Sequence, residues 1–425
     1  MDGVAVDRTE VEIVGATQDS RAVESGQLFV PLVAERDGHD FIAGALEAGA
    51  AAYITQRQAS TGVAIEVADT MFALSSAGRF ARAKLTGPVV GITGSVGKTS
   101  AKDLLAGALS TSRVTHASTK SFNNEIGVPL TLLNAPDDAE AVVLEMGARG
   151  IGHIQTLCDV AAPTIGIVTT VAGAHVGEFG SIENIAQGKG ELVEGLPDNG
   201  LAVLNADNPY VSSMATRTAA EVLTFGVAQQ TTSGSADVVV SGIALDEELR
   251  GTFTIDSSWG RVVARPQARG AHMAINVAAA VAAALWLGDP IVAIEEGIAK
   301  ASTSPWRMEV FTNSTGLTVI NDSYNANPTS MRGAIESLVH LDADRKVAIV
   351  GYMGELGEAE GEAHRAIARL LDSHGIEIVA VGTDLYGIEP SVDALAQLAG
   401  AGEKTAVLVK GSRSAGLEAL ADKLR

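Results

Sequence analysis

Cysteine is almost absent: one residue, Cys158, stands in a chain of 425. A single thiol excludes an internal disulfide and any multi-cysteine zinc site, and it points to a reducing compartment. Basic residues are also scarce, 30 against 51 acidic ones, for a net charge of -21. That balance argues against nonspecific binding to nucleic acid or anionic membranes, so an anionic substrate must meet a local basic site. No apolar run reaches membrane-spanning length, and the opening MDGVAVDRTEVEIVG has neither a basic n-region nor an apolar h-region. The expectation is a cytoplasmic chain without membrane insertion. Its length exceeds one comfortable core, so two or three domains are expected.

The most informative segment is VVGITGSVGKTS, over 89–100: an apolar run that ends in glycines and Lys-Thr and then enters a helical pattern. Gly94 and Gly97 let the backbone curl so that its N–H groups face inward, and the helix that follows adds the positive end of its dipole. Lys98 is placed to reach β- and γ-phosphates, and the Thr99 hydroxyl to ligate magnesium. Gly94, Ser95, Val96, Gly97, Lys98, Thr99 and Ser100 are therefore the candidate triphosphate site. The strict pattern wants glycine five residues before Gly97 and finds Ile92, so only the tighter core is present. A glycine-rich turn alone could produce part of this pattern; strand, Lys-Thr pair and helix together favour a nucleotide.

Three blocks follow from the periodicities. The first, 1–86, mixes short strands over 11–14, 27–33 and 51–54 with a helix over 41–48, and ends at the hinge-like Thr86-Gly87-Pro88. In the second, 87–308, apolar strands over 89–93, 141–146, 164–171 and 201–205 alternate with helices over 98–110, 151–158 and 181–194, the pattern of a parallel sheet covered on both faces. Polar alternation over 233–266 predicts antiparallel hairpins, and an alanine-rich helix spans 271–287. The third, 309–425, repeats the alternation with strands over 317–321, 346–351, 377–382 and 405–409. The fold class is α/β in three domains: a small mixed N-terminal one, a central phosphate-loop domain with a mostly parallel sheet, and a C-terminal Rossmann-like one.

Glu145 closes the run AVVLEMG and His175 follows the next predicted strand, both where ligands of open α/β sheets bind. Each reads either as a metal ligand or as an ordinary strand-end residue.

The segments GSVGKTS, TKSFNNEIGVPLTLL, LEMGARG, AHVGEFGSIENIAQGKGEL, NDSYNANPTSMR and VLVKGSRS, with DSRAVESGQLFVPLVAERDGHDFI in the first block, closely resemble the Mur ligases of peptidoglycan synthesis, and within them the members that add D-Ala-D-Ala. The resemblance covers nearly the whole chain. It implies an ATP-dependent, ADP-forming amide ligase acting on UDP-N-acetylmuramoyl-tripeptide and D-Ala-D-Ala. The first block would bind the UDP substrate, the second ATP, and the third would close over the nucleotide and carry the acceptor dipeptide. The chain is expected to work as a monomer on small molecules, without nucleic acid, supplying a precursor for the cell wall and so for cell shape and division.

By that resemblance Thr99, Glu145, His175 and Lys189 serve magnesium ions. Lys189 reads as a surface lysine from sequence alone, but it aligns with the lysine that related ligases carry as a carbamate, which turns a magnesium-repelling cation into an anion. Lys98, Lys189, His175, Glu145 and Arg307 form the implied catalytic set, with Arg307 reaching the γ-phosphate. His272 and Asn276 match an adenine-side motif; Met273 replaces its usual asparagine, which leaves Asn276 as the candidate. Asp322 would accept from ribose hydroxyls and Tyr324 pack near the nucleotide. Asn325 and Asn327 would hold the dipeptide, although a turn before Pro328 also suits them. Ser20, Arg21, Thr119, Asn123 and Asn124 match the UDP-muramoyl site. Tyr352 and Asn321 stand where the family usually has aspartate.

Three alternatives remain at this point. The preceding Mur ligase adds lysine or diaminopimelate, yet a DNPR-like segment is absent. A folylpolyglutamate-type synthetase would not need the DSR-containing first block. A noncatalytic nucleotide-binding subunit is the third, separable by substrate-dependent phosphate release.

Overall fold

The computed structural model describes residues 4–5, 10–119, 121–173, 176–228 and 236–425. They form three sheets in chain order. The first runs β1-β5-β4-β3-β2, with β1 (Val4–Ala5), β2 (Ala16–Thr17), β3 (Leu28–Phe29), β4 (Ala52–Thr55) and β5 (Ala64–Glu66); neighbours are parallel except β1. The strand expected over 11–14 is not one. Val11, Ile13 and Val14 all stay exposed, so no face of that segment finds a core, and pairing starts at Ala16.

Sequence periodicity also passed over the helix Thr70–Lys84, which Asp69 caps by accepting from the Phe72 N–H. Its buried face is Ala73, Leu74, Ala77 and Gly78, while Phe72 and Phe80 face solvent. Small residues are buried because the helix lies close on Gly127–Leu133: a Cβ on Gly78 would come within 2.8 Å of Pro129.

The central sheet has nine strands: β6 (Val89–Thr93), β7 (Thr115–Ala117), β8 (Ala141–Glu145), β9 (Ile165–Val168), β10 (Leu201–Asn205), β11 (Glu221–Val227), β12 (Val238–Leu245), β13 (Gly251–Ser257) and β14 (Gly260–Ala264). Their order is β14-β13-β12-β11-β10-β9-β6-β8-β7. Pairing is parallel from β7 through β12 and antiparallel in β12-β13-β14. The expected hairpins are therefore present and extend the same sheet. Connections leave β6 toward both flanks, with β8 on one side and β9 on the other, and that reversal opens a crevice beyond its carboxyl end. One face is covered by the helices Lys98–Ser110, Met273–Trp286 and Ile291–Lys300, the other by Gly127–Leu133, His153–Ala161 and Ile182–Glu194. Cys158 lies buried in the second layer, where desolvation pushes its thiol up to about 12.

The third sheet runs β15-β16-β19-β17-β18, from β15 (Glu309–Thr312), β16 (Thr318–Asn321), β17 (Arg345–Val350), β18 (Glu377–Ala380) and β19 (Thr405–Lys410). It is parallel apart from the edge strand β15. Helices Pro328–His340 and Glu360–Ser373 cover one face. The other face receives shorter pieces, among them the five-residue helix Glu418–Asp422. Among the described residues no helix is long and apolar enough to cross a membrane.

Behind the phosphate loop, Lys98–Ser110 and Ile291–Lys300 touch backbone to backbone: a Cβ on Gly297 would lie 2.2 Å from the Gly107 carbonyl oxygen. Backbone cannot swing aside as a side chain can. Gly297→Ala is expected to cost about 1–3 kcal/mol by forcing the helices apart. Gly44→Ala, with open space around its Cβ, should be neutral or stabilising. Urea denaturation measures both, and equal midpoints for the two variants would refute the close-contact argument.

Candidate active site

The loop after β6 is shaped by what two positions lack. Gly94 has φ 150° and Gly97 φ 88°, and a Cβ would fall 2.0 Å from Thr169 Oγ1 at the first and 2.2 Å from Asn276 Oδ1 at the second. Only glycine fits both the torsions and the space. The loop rests on the end of β9: Ser95 N–H donates to the Thr170 carbonyl at 2.7 Å, and Ser95 Oγ to the Ala172 carbonyl at 3.0 Å. The helix starts at Lys98, as the sequence predicts, and the lysine folds back so that Nζ donates to the Gly94 carbonyl at 2.7 Å. Desolvation lowers the Lys98 pKa, and the Glu145 carboxylate opposes that shift. Asn276, on Met273–Trp286, presses its side chain against the loop itself.

Four side chains from distant stretches meet just inside. Thr99 Oγ1 donates to Glu145 Oε2 at 2.7 Å, and Asn123 Nδ2 donates to Glu145 Oε1 at 2.8 Å. Arg307, from the linker before β15, donates through Nη2 to Thr99 Oγ1 at 2.9 Å. Its guanidinium lies 4.1 Å over the Tyr324 ring, whose hydroxyl meets Ser121 Oγ at 2.5 Å. Among the described residues Arg307 Nε is a buried donor without an acceptor. Such a group is costly unless a ligand satisfies it.

Lys189 is 1% exposed on Ile182–Glu194, so the surface reading fails. Desolvation, reinforced by the Lys98 ammonium, pushes its pKa well below the usual lysine value. No described residue makes a hydrogen bond or ion pair with it. His175 lies outside the described residues. Among those described, no group of three or more His, Cys, Asp or Glu could hold a metal ion.

One cavity of about 830 Å³ unites most of the remaining candidates. It takes in the loop from Ser95 to Ser100, Asn123, Asn124, Glu145, His272, Asn276, Arg307, Asp322, Tyr324, Asn325 and Asn327. Asp322 is committed within the protein: Oδ1 accepts from the Met308 N–H at 3.1 Å and Oδ2 pairs with the Lys410 ammonium. Asn325 Oδ1 accepts from Ala326 N–H, and Asn327 Oδ1 caps Pro328–His340 by accepting from Ser330 N–H. Asn124 Oδ1 likewise accepts from Gly127 N–H. Each of these three amides therefore has its NH₂ group to offer a ligand. Ser20 and Arg21 sit elsewhere, in a short 3-10 turn where Arg21 pairs with Asp19 at 2.8 Å. Thr119 borders a second cavity, of about 800 Å³, beside Lys102.

Sequence reasoning overlooked Asp103, Glu355, Lys410 and Arg413, all of which border the main cavity. Lys410 left a readable signal: like Glu145, it is a charged residue closing an apolar strand.

The Mur ligase middle domain family matches residues 92–284, and the family described as Mur ligase, glutamate ligase domain matches 306–424. The chain is 36% identical to a UDP-N-acetylmuramoyl-tripeptide–D-alanyl-D-alanine ligase of Mycobacterium tuberculosis, covering 96% of this chain and 91% of the relative. The chain belongs to the Mur ligase family. The Escherichia coli relative of the same name is 31% identical over 96% of this chain and 93% of its own. Among solved structures, a MurF from Acinetobacter baumannii superposes with a TM-score of 0.87 at 29% identity, covering 98% and 94% of the two chains. MurF from Thermotoga maritima in complex with ADP gives 0.82 at 27% identity, over 96% of each chain.

For this Mur ligase the glycine geometry generates a direct test. Gly97→Ala is expected to weaken ATP binding by at least about tenfold, because the new methyl displaces Asn276 and strains the loop. Isothermal titration of the full chain measures it. Affinity equal to the parent's would remove the loop from the nucleotide site.

Proposed function

We propose that this Mur ligase joins D-Ala-D-Ala to UDP-N-acetylmuramoyl-tripeptide, converting ATP to ADP and phosphate. The reading is carried by full-length kinship with ligases of that name, coinciding with a phosphate loop on which Thr99, Glu145 and Arg307 converge. Residues 1–86 would take the UDP end, 87–308 ATP, and 309–425 the dipeptide.

A carboxylate is a poor acyl donor, so its oxygen first attacks the γ-phosphorus, releasing ADP and leaving an acyl phosphate. The dipeptide amine then attacks the acyl carbon, the tetrahedral intermediate collapses, and phosphate departs. Two anions must meet in the first step, and the barrier falls only if their charge is neutralised in fixed geometry. Lys98 and the loop N–H groups face the phosphates, and Arg307 offers Nε to the γ-phosphoryl oxygens. Asn325 and Asn327 would address the acceptor through their amides and Tyr324 the nucleoside, while both Asp322 oxygens are held by Met308 and Lys410.

The Thr99 hydroxyl and the Glu145 carboxylate are hard oxygens 2.7 Å apart, which suits magnesium; it binds proteins through one or two carboxylates and completes its shell with phosphates and water. Thr99, Glu145 and His175 would hold it, and it would screen the charge between β- and γ-phosphates. Lys189 fits a carbamate role for a reason visible in its surroundings. Only a neutral amine adds to carbon dioxide, giving the carbamate and a proton, and burial beside Lys98 favours that neutral form. Once formed, the carbamate anion suits both a metal and the Lys98 ammonium.

Phosphate release with UDP-N-acetylmuramoyl-tripeptide should depend on D-Ala-D-Ala and should not respond to lysine, diaminopimelate or glutamate. Release stimulated by lysine or diaminopimelate instead would assign the chain to the preceding step of the pathway. Lys189→Ala should be nearly inactive, with added short carboxylic acids partly restoring turnover. Full activity of the variant would leave the carbamate without a role.

A further inference from the structure

The linker that delivers Arg307 is anchored by a group outside every role assigned so far. Lys410 closes β19 and is 1% exposed. Its ammonium donates to Asp322 Oδ2, to the Asn325 carbonyl at 2.9 Å and, more weakly, to the Asp322 carbonyl at 3.4 Å. An ammonium has three donors. All are spent inside the protein, and none remains for a phosphate even though the side chain borders the cleft.

The other Asp322 oxygen holds the Met308 N–H. Met308 and Trp306 have φ 50° and 57°, a left-handed backbone that bulky L-residues rarely adopt and keep only where the surroundings over-determine it. Arg307 stands between them. The Trp306 carbonyl is held by the Tyr324 N–H at 3.1 Å, and the Trp306 ring by the Arg413 guanidinium at 4.5 Å. The Asp322 carboxylate is thus the acceptor on one side of Arg307, and Lys410 fixes where that carboxylate sits.

We propose that Lys410 is a positioning residue of the ligation reaction, which through Asp322 and the Met308 amide holds the strained linker so that Arg307 reaches Thr99 and the end of the triphosphate. The proposal rests on reading Arg307 as a γ-phosphate ligand.

The test uses the full chain and compares ATP with ADP. In Lys410→Met, affinity for ATP should fall by about tenfold or more while that for ADP changes less than about threefold, since only ATP carries the group Arg307 meets. Turnover should fall by about 10- to 100-fold, the penalty for misplacing a group in the transition state, with KM for the UDP substrate within about twofold. Lys410→Arg keeps the buried charge and so the fold, but its flat fork cannot serve three converging acceptors. It should show the same ATP-selective loss, and it reads the proposal if the Met variant does not fold. Arg307→Ala separates the premises. Without selective loss of ATP in that variant, the γ-phosphate reading fails. If that variant is selective but the Lys410 variants lose ATP and ADP equally, or neither, the relay through Lys410 is overturned.

Discussion

One hydroxyl carries the junction on which this enzyme depends. Thr99 Oγ1 donates to Glu145, at the end of β8, and accepts from Arg307, which belongs to the linker entering the third sheet. A carboxylate and a guanidinium are thereby fixed on opposite sides of a single oxygen beside the phosphate loop. Neither sheet could place both. The central sheet supplies the loop and the carboxylate at its topological reversal, and the third supplies the cation through a linker strained at Trp306 and Met308. Site and domain arrangement are one geometric problem.

What was legible in the sequence follows from how local each signal is. The helix Lys98–Ser110 and the strand before it were readable because glycines, Lys-Thr and an apolar run lie within twelve consecutive residues. The helix Thr70–Lys84 was not, because a close neighbour selects alanine and glycine for its inner face and leaves Phe72 and Phe80 outside, inverting the usual pattern. The apolar alternation over 11–14 misled for the opposite reason: the periodicity exists, but no sheet face receives it. Lys189 shows the same limit at the level of function. Nothing within its helix reports that the far side of Ile182–Glu194 is buried under the central sheet; the family resemblance supplied that, and the burial supplies the physical cause.

The electrostatics of the cleft separate its cations by how each is compensated. A chain of net charge -21 attracts anions only where cations are gathered and shielded from the rest of the surface. Lys98 has the Gly94 carbonyl and the Glu145 carboxylate, Arg307 the face of Tyr324 and the Thr99 hydroxyl, and Lys410 a carboxylate and two carbonyls. For Lys189 burial and the repulsion of Lys98 both disfavour the charged form. An ammonium buried without a compensating partner is pushed toward its neutral form. Lys98, Arg307 and Lys410 are thus each held by specific partners, whereas no described residue offers Lys189 a hydrogen bond or ion pair. On the proposed reading, whether a lysine of this cleft binds phosphate or is converted to a carbamate therefore depends on its neighbours, not on the lysine itself.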